Sequence, residues 1–157
     1  MSNTNNLTHQ IRQHLGMLPI QEAGTAGPAS GSWKGLLYAA LSHSILGACI
    51  EVHRHIGPGQ LESVYQRAVE HELALREIPF RAQVPIAMTY KGERVGDFFA
   101  DLIIDDKVIV EIKTVEHLLA VHTAQVLSYL RSTRLRLGLL VNFNVPVLVR
   151  GVKRLVQ

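Results

Sequence analysis

The segment that most constrains this chain is residues 94–114, RVGDFFADLIIDDKVIVEIKT. Its apolar residues recur with a period of two or run on continuously, and an acidic DDK turn divides it at 105–107. That pattern reads as two strands of a hairpin, with 98–104 and 108–112 apolar enough to be covered on both faces. Yet Asp101 interrupts the first strand, and Glu111 and Lys113 interrupt the second. Buried charges are costly unless they are paired or bound to something.

The turn sets the geometry. Centred on Asp106, it places Asp101 across from Glu111 and Phe99 across from Lys113. Directly opposed residues of an antiparallel pair point to the same face, about 4.5–5.5 Å apart at Cβ. Glu111 and Lys113 are two apart and share that face. A register slip of one residue would send Asp101 to the other side. Two opposed carboxylates repel, and a hard divalent cation between them removes the penalty while binding phosphate oxygens. A nearby ammonium can orient water or stabilise developing negative charge. The trio therefore suits metal-assisted phosphodiester hydrolysis. A structural salt bridge from Lys113 to Glu111 or Asp101 is the competing reading.

The elements around the hairpin follow from periodicity. Apolar residues at helical spacing over 35–55 (Leu36, Leu37, Ala40, Leu41, Ile45, Ala48, Cys49, Val52) predict a helix ended by GPG at 57–59. A second helix runs over 61–77, with Leu61, Tyr65, Ala68, Val69 and Leu73 toward the core, and stops before Pro79. RAQVPIAMTY at 81–90 is a strand, KGE at 91–93 a turn, 116–131 a helix, and 136–144 and 145–156 two closing strands. The order predicts an α/β sandwich around a mixed sheet, with a β-meander, one crossover helix and flanking helices.

Residues 1–34 differ in composition. EAGTAGPASGS at 22–32 reads as a flexible linker, and Leu7, Ile11, Leu15 and Leu18 are spaced as in a short docking helix. The expected division is a flexible N-terminal extension, 1–34, and one domain, 35–157. The N-terminus has no basic region leading into an apolar segment. The longest apolar run, GLLYAALSHSILGACI, is shorter than the roughly 20 residues a membrane span needs. No membrane association and a cytoplasmic location are expected. The formal net charge of +3 permits a nucleic-acid partner without requiring one. The single cysteine, Cys49, excludes an intramolecular disulfide and reads as a core residue. No phosphate-binding loop, dinucleotide loop or nucleophile elbow is present.

Asp101, ten residues on Glu111-Ile112-Lys113, resembles the PD-(D/E)XK nuclease superfamily. GQLESVY, Gly59 to Tyr65, matches the signature of its GxxExxY family, and HTAQVLSYL and GLLVNFN downstream are similar to that family as well. The resemblance covers roughly 42–157. It implies a restriction-endonuclease-like three-layer fold and a nuclease that hydrolyses phosphodiester bonds with Mg2+ or Mn2+, DNA being the first expectation. It implies Asp101, Glu111 and Glu62 as metal ligands and Lys113 as the catalytic lysine. Gln125 and Tyr129 match a Gln-x-x-x-Tyr motif beside the active site of related nucleases. With His122 they fall on one helix face by spacing and could contact a phosphate or base. Tyr65 is expected to pack in the core with its hydroxyl near the site. The nominal proline before the aspartate is Ala100 here. A homodimer is compatible with this class. The alternative function is a non-catalytic nucleic-acid- or protein-binding module on the same scaffold.

Overall fold

The computed structural model describes residues 37–157. The proposed linker, the docking helix of 1–34 and Leu36 lie outside the described residues. Two helices come first, α1 (Ala39–Ile56) and α2 (Glu62–Leu75). The strands β1 (Phe80–Tyr90), β2 (Glu93–Ile104) and β3 (Val108–Lys113) follow as a meander. Helix α3 (Ala120–Thr133) then crosses to β4 (Leu137–Asn142), and a 3-10 turn (Leu148–Gly151) leads into β5 (Val152–Val156).

The five strands lie in sequence order in one sheet. All neighbours are antiparallel except β3 and β4. That parallel pair is what requires α3 as a crossover. Alternation along β3 sorts the two faces. Val108, Val110 and Ile112 pack with Ile45, Cys49, Tyr65, Val69 and Leu73 of α1 and α2. Ile109 packs on the other face with Val126, Tyr129 and Leu130 of α3. The result is a mixed sheet between two helical layers, the three-layer α/β sandwich expected. Helix α3 lies tight on β4, because a Cβ at Gly138 would stand 2.5 Å from Val126 Cγ1. Cys49 is fully buried, and burial pushes its thiol up to about 12.

Several boundaries differ from the sequence reading, each for a physical reason. Strand β2 is covered only over 100–104, and Phe98 and Phe99 are about half exposed. The β1–β2 hairpin has strands of 11 and 12 residues, whereas β3 has six. Its far half therefore extends past β3 and pairs with no third strand among the described residues, while Met88 and Phe98 reach Ser128, Ser132 and Tyr129 of α3. Leu61 is exposed, since it precedes α2 rather than lying on its inner face. Helix α3 begins at Ala120, not near 116. The Asn142 side chain binds both backbone groups of Val115, accepting from its N–H at 3.1 Å and donating to its carbonyl at 2.8 Å. This clamp keeps the chain extended past β3. The closing segment is a strand only from Val152. Before it, Val145 gives its carbonyl to His53 Nε2 at 2.8 Å rather than to a ladder, and Pro146 has no N–H. Gly151 comes so close to the Asn142 carbonyl that a Cβ would sit 2.4 Å from it.

Candidate active site

The hairpin turn is built from two acidic residues in the left-handed region, Asp105 and Asp106, both at φ 49°. Asp and Asn tolerate that conformation better than most residues. The ladder that grows from the turn pairs Ile104 with Val108, Ile103 with Ile109 and Leu102 with Val110. It is centred on Asp106, as expected, and its next step would oppose Asp101 to Glu111. The ladder ends there. The Ile112 N–H donates instead to Asp101 Oδ2 at 2.8 Å, a side chain standing in for a backbone carbonyl. Because the strands no longer pair beyond this point, Phe99 is not registered with Lys113. It pairs with Pro85 of β1.

Four charged groups meet where the hairpin opens. Lys113 Nζ lies 2.8 Å from Glu111 Oε1, and both side chains are largely buried. Asp101 and Glu111 are themselves buried, at 9% and 2% exposure. Glu62, the first residue of α2, is near enough to feel the charges of Lys113 and Asp101. Burial, and then the Asp101 charge, push Glu111 up to about 7, against the opposing pull of Lys113. Burial raises Asp101, while the Ile112 N–H, Lys113 and Gln83 hold it back. Glu62 is raised for the same first reason. Burial works against the Lys113 ammonium, but its bond to Glu111 and the other carboxylates outweigh it and raise the lysine. Lys113 is therefore protonated at neutral pH. A carboxylate pushed up toward neutrality beside a largely buried cation, as Glu111 is, is a mark of functional sites.

The donors fit a hard divalent cation. Glu111 Oε2 is buried with no hydrogen-bond partner, although a carboxylate oxygen in such a place normally has one. The available ligands are carboxylate oxygens, the type that Mg2+ and Mn2+ take, and Mg2+ commonly uses one or two of them with water and phosphate. Among the described residues, no three His, Cys, Asp or Glu side chains converge closely enough to hold an ion by themselves. The side-chain set on the hairpin is accordingly the pair Asp101 and Glu111, with Glu62 of α2 in the field of Asp101 and Lys113.

The other residues singled out in the sequence divide. Tyr129 is buried and interacts electrostatically with Glu111, Lys113 and Asp101; burial raises its hydroxyl. Gln125 Nε2 donates to the Tyr129 hydroxyl at 2.7 Å, leaving the phenol proton available to another acceptor. His122 acts locally, since its Nδ1 accepts the Leu119 N–H at 3.0 Å and caps the start of α3. Tyr65 is fully buried and stacked on Phe143, with ring centroids 4.5 Å apart. Its hydroxyl donates to the Gly57 carbonyl at 2.5 Å and accepts from the Gln60 N–H at 3.2 Å. It fastens the GPGQ loop that leads into Glu62, a more structural role than contact with substrate. Of the basic residues near the C-terminus, Arg154 is committed to the Leu37 carbonyl.

Gln83 of β1 is a residue that the sequence reading missed. Its amide nitrogen lies 3.2 Å from Asp101 Oδ1 and 2.8 Å from Gln66 Oε1. A polar residue in an exposed strand position carries no sequence signal of such a contact.

This arrangement has a match among known families. A family model of the PD-(D/E)XK nuclease superfamily covers residues 39–155. The chain belongs to that superfamily. Its sheet and flanking helices form the restriction-endonuclease-like fold. Nucleases of this superfamily act on nucleic acid and generally use divalent metal ions. No curated protein and no solved structure matches the chain. No helix among the described residues is long and apolar enough to cross a membrane.

Proposed function

We propose that this protein is a Mg2+- or Mn2+-dependent nuclease of the GxxExxY type, acting on DNA. The observation that carries the reading is the hairpin end, where Asp101 and Glu111 are buried, the partly buried Lys113 is bonded to Glu111, and Glu111 Oε2 has no hydrogen-bond partner. Asp101 and Glu111 would hold the ion, with Glu62 as a further carboxylate. The bound ion supplies Lewis-acid polarisation of a phosphoryl oxygen and favours deprotonation of water.

The chain's own residues do the rest. Burial excludes bulk water from around Glu111, which strengthens every charge interaction there. The Lys113 ammonium, held by Glu111, orients the attacking water and stabilises charge developing on the phosphate. The Tyr129 hydroxyl, with Gln125 bonded to it, faces the same site and is suited to a phosphate oxygen. Residues 35–157 form the nuclease domain, and 1–34 are an extension to it. Association as a homodimer would let two sites address the two strands of a duplex.

The test is cleavage of labelled single- and double-stranded DNA and RNA with Mg2+, Mn2+ or EDTA. Wild type should cut DNA only with metal, and Lys113→Ala and Asp101→Ala should each lose about 100-fold or more in rate. Mg2+ should raise the melting temperature of wild type and leave that of Asp101→Ala unchanged. Wild type that binds nucleic acid but cuts none, under any metal, would instead mark a binding module.

A further inference from the structure

Gln83 sits in β1 at φ 48°, in the left-handed region that few residues other than glycine, Asn and Asp enter. The β1–β2 ladder pairs Ala82 with Leu102 and Val84 with Ala100 at one continuous register, and Gln83 between them is left out. No residue has been inserted, because both strands keep count. Its would-be partner at that step is Asp101. The strain is local and falls at the strand position beside a site carboxylate.

The side chain accounts for it. Both amide N–H donors of Gln83 are used, one on Asp101 Oδ1 and one on Gln66 Oε1 of α2. Gln66 Nε2 in turn donates to Glu70 Oε1 at 2.9 Å. An ionised carboxylate only accepts, so the Gln83 amide must present its nitrogen to Asp101. The other Asp101 oxygen takes the Ile112 N–H. Asp101 is thus held from β1 on one side and from β3 on the other, while Glu111 Oε2 has no such partner. Gln83 is exposed and buries no large apolar surface. Glycine would adopt this backbone conformation at no steric cost. What a glutamine adds is the reach of its amide.

We propose that Gln83 is a positioning residue: anchored to α2 through Gln66, it fixes the orientation of the Asp101 carboxylate toward the site shared with Glu111. This rests on the metal-site reading above. Loss of such an outer hydrogen bond to a ligating group commonly weakens metal binding 10- to 100-fold.

Gln83→Gly is the informative variant, since glycine suits the positive φ and removes only the side chain. Mn2+ binding to the full chain would be measured by calorimetry for wild type, Gln83→Gly, Gln66→Ala and Asp101→Ala. Exchange of the Ile112 amide proton would be followed in EDTA. The expected result is a Gln83→Gly protein that melts no lower than wild type, binds Mn2+ about tenfold more weakly and exchanges the Ile112 amide faster. Gln66→Ala should show a smaller loss in the same direction. Unchanged Mn2+ affinity and unchanged Ile112 exchange in Gln83→Gly, with binding lost in Asp101→Ala, would overturn the role of Gln83 and leave the site standing. A lowered melting temperature with unchanged affinity would make Gln83 structural only, and overturn it too. Asp101→Ala binding Mn2+ as tightly as wild type would overturn the site itself, and the proposal with it.

Discussion

The two ends of the β2–β3 hairpin are made from the same strands and behave in opposite ways. At the turn end, Leu102, Ile103 and Ile104 face Val108, Ile109 and Val110 in an unbroken ladder, all nearly or fully buried and apolar. One residue further, the ladder stops, a carboxylate replaces a backbone acceptor, and Glu111 is left with an unpartnered oxygen. The first half gains stability by removing apolar surface from water. The second gives some of it up, because buried like charges and an orphaned polar atom are unfavourable in the metal-free protein. The closed half is what allows the open half to exist. A rigid ladder fixes where Asp101 and Glu111 must come, and where it ends Asp101 accepts the Ile112 N–H while Glu111 Oε2 keeps no partner.

The largest effect expected from breaking this contrast is in the closed half. Leu102→Ala should cost about 2–5 kcal/mol in urea unfolding, the usual range for truncating a fully buried leucine. Asp101 is its immediate neighbour, and Asp101→Ala should act mainly on the response to metal.

The open half should show itself through pH. The folded protein keeps the Glu111 proton up to about pH 7, whereas a glutamate in the unfolded chain releases it near 4.5. Folding therefore takes up a proton in this window, and metal-free stability falls as pH rises through it. The displacement corresponds to at most about 3 kcal/mol. In EDTA, the stability of Glu111→Gln relative to wild type should improve by up to that amount between pH 4.5 and pH 8, measured by urea unfolding at both. A gap independent of pH would mean that Glu111 is not strained in the folded state. Metal binding should strengthen over the same window, since the ligating carboxylate must be ionised.

A smaller effect separates the loop before α2 from both halves. Tyr65→Phe keeps the ring on Phe143 but removes the hydroxyl that holds Gly57 and Gln60. It should cost about 1 kcal/mol of stability. Because this loop sets the start of α2, Glu62 should become less well placed, and Mg2+ affinity should weaken along with stability.

The parts of the site legible in the sequence were those fixed by counting. Strand alternation and the position of an acidic turn were enough to bring Asp101, Glu111 and Lys113 to one end of the hairpin, although the ladder stops at Leu102 and Val110, one step short of the expected pairing of Asp101 with Glu111. Helical spacing brought Gln125 and Tyr129 together. The departures came from competition for backbone groups, which counting does not register. Asn142 takes the backbone of Val115 and delays α3, and His122 caps that helix. Tyr65 turns its hydroxyl to the GPGQ loop.

By itself, the sequence determined the element order, the mixed sheet and the meeting of two acids and a lysine on one hairpin. These follow from periods of 2 and 3.6 and from a turn that sets register. Only the tertiary structure decided where the ladder ends, how Glu62 and Tyr129 come to share the field of Asp101 and Lys113, and that Gln83 reaches across from β1. Those contacts join residues far apart in the chain, and their geometry depends on how strands diverge and helices lie, which no local pattern encodes.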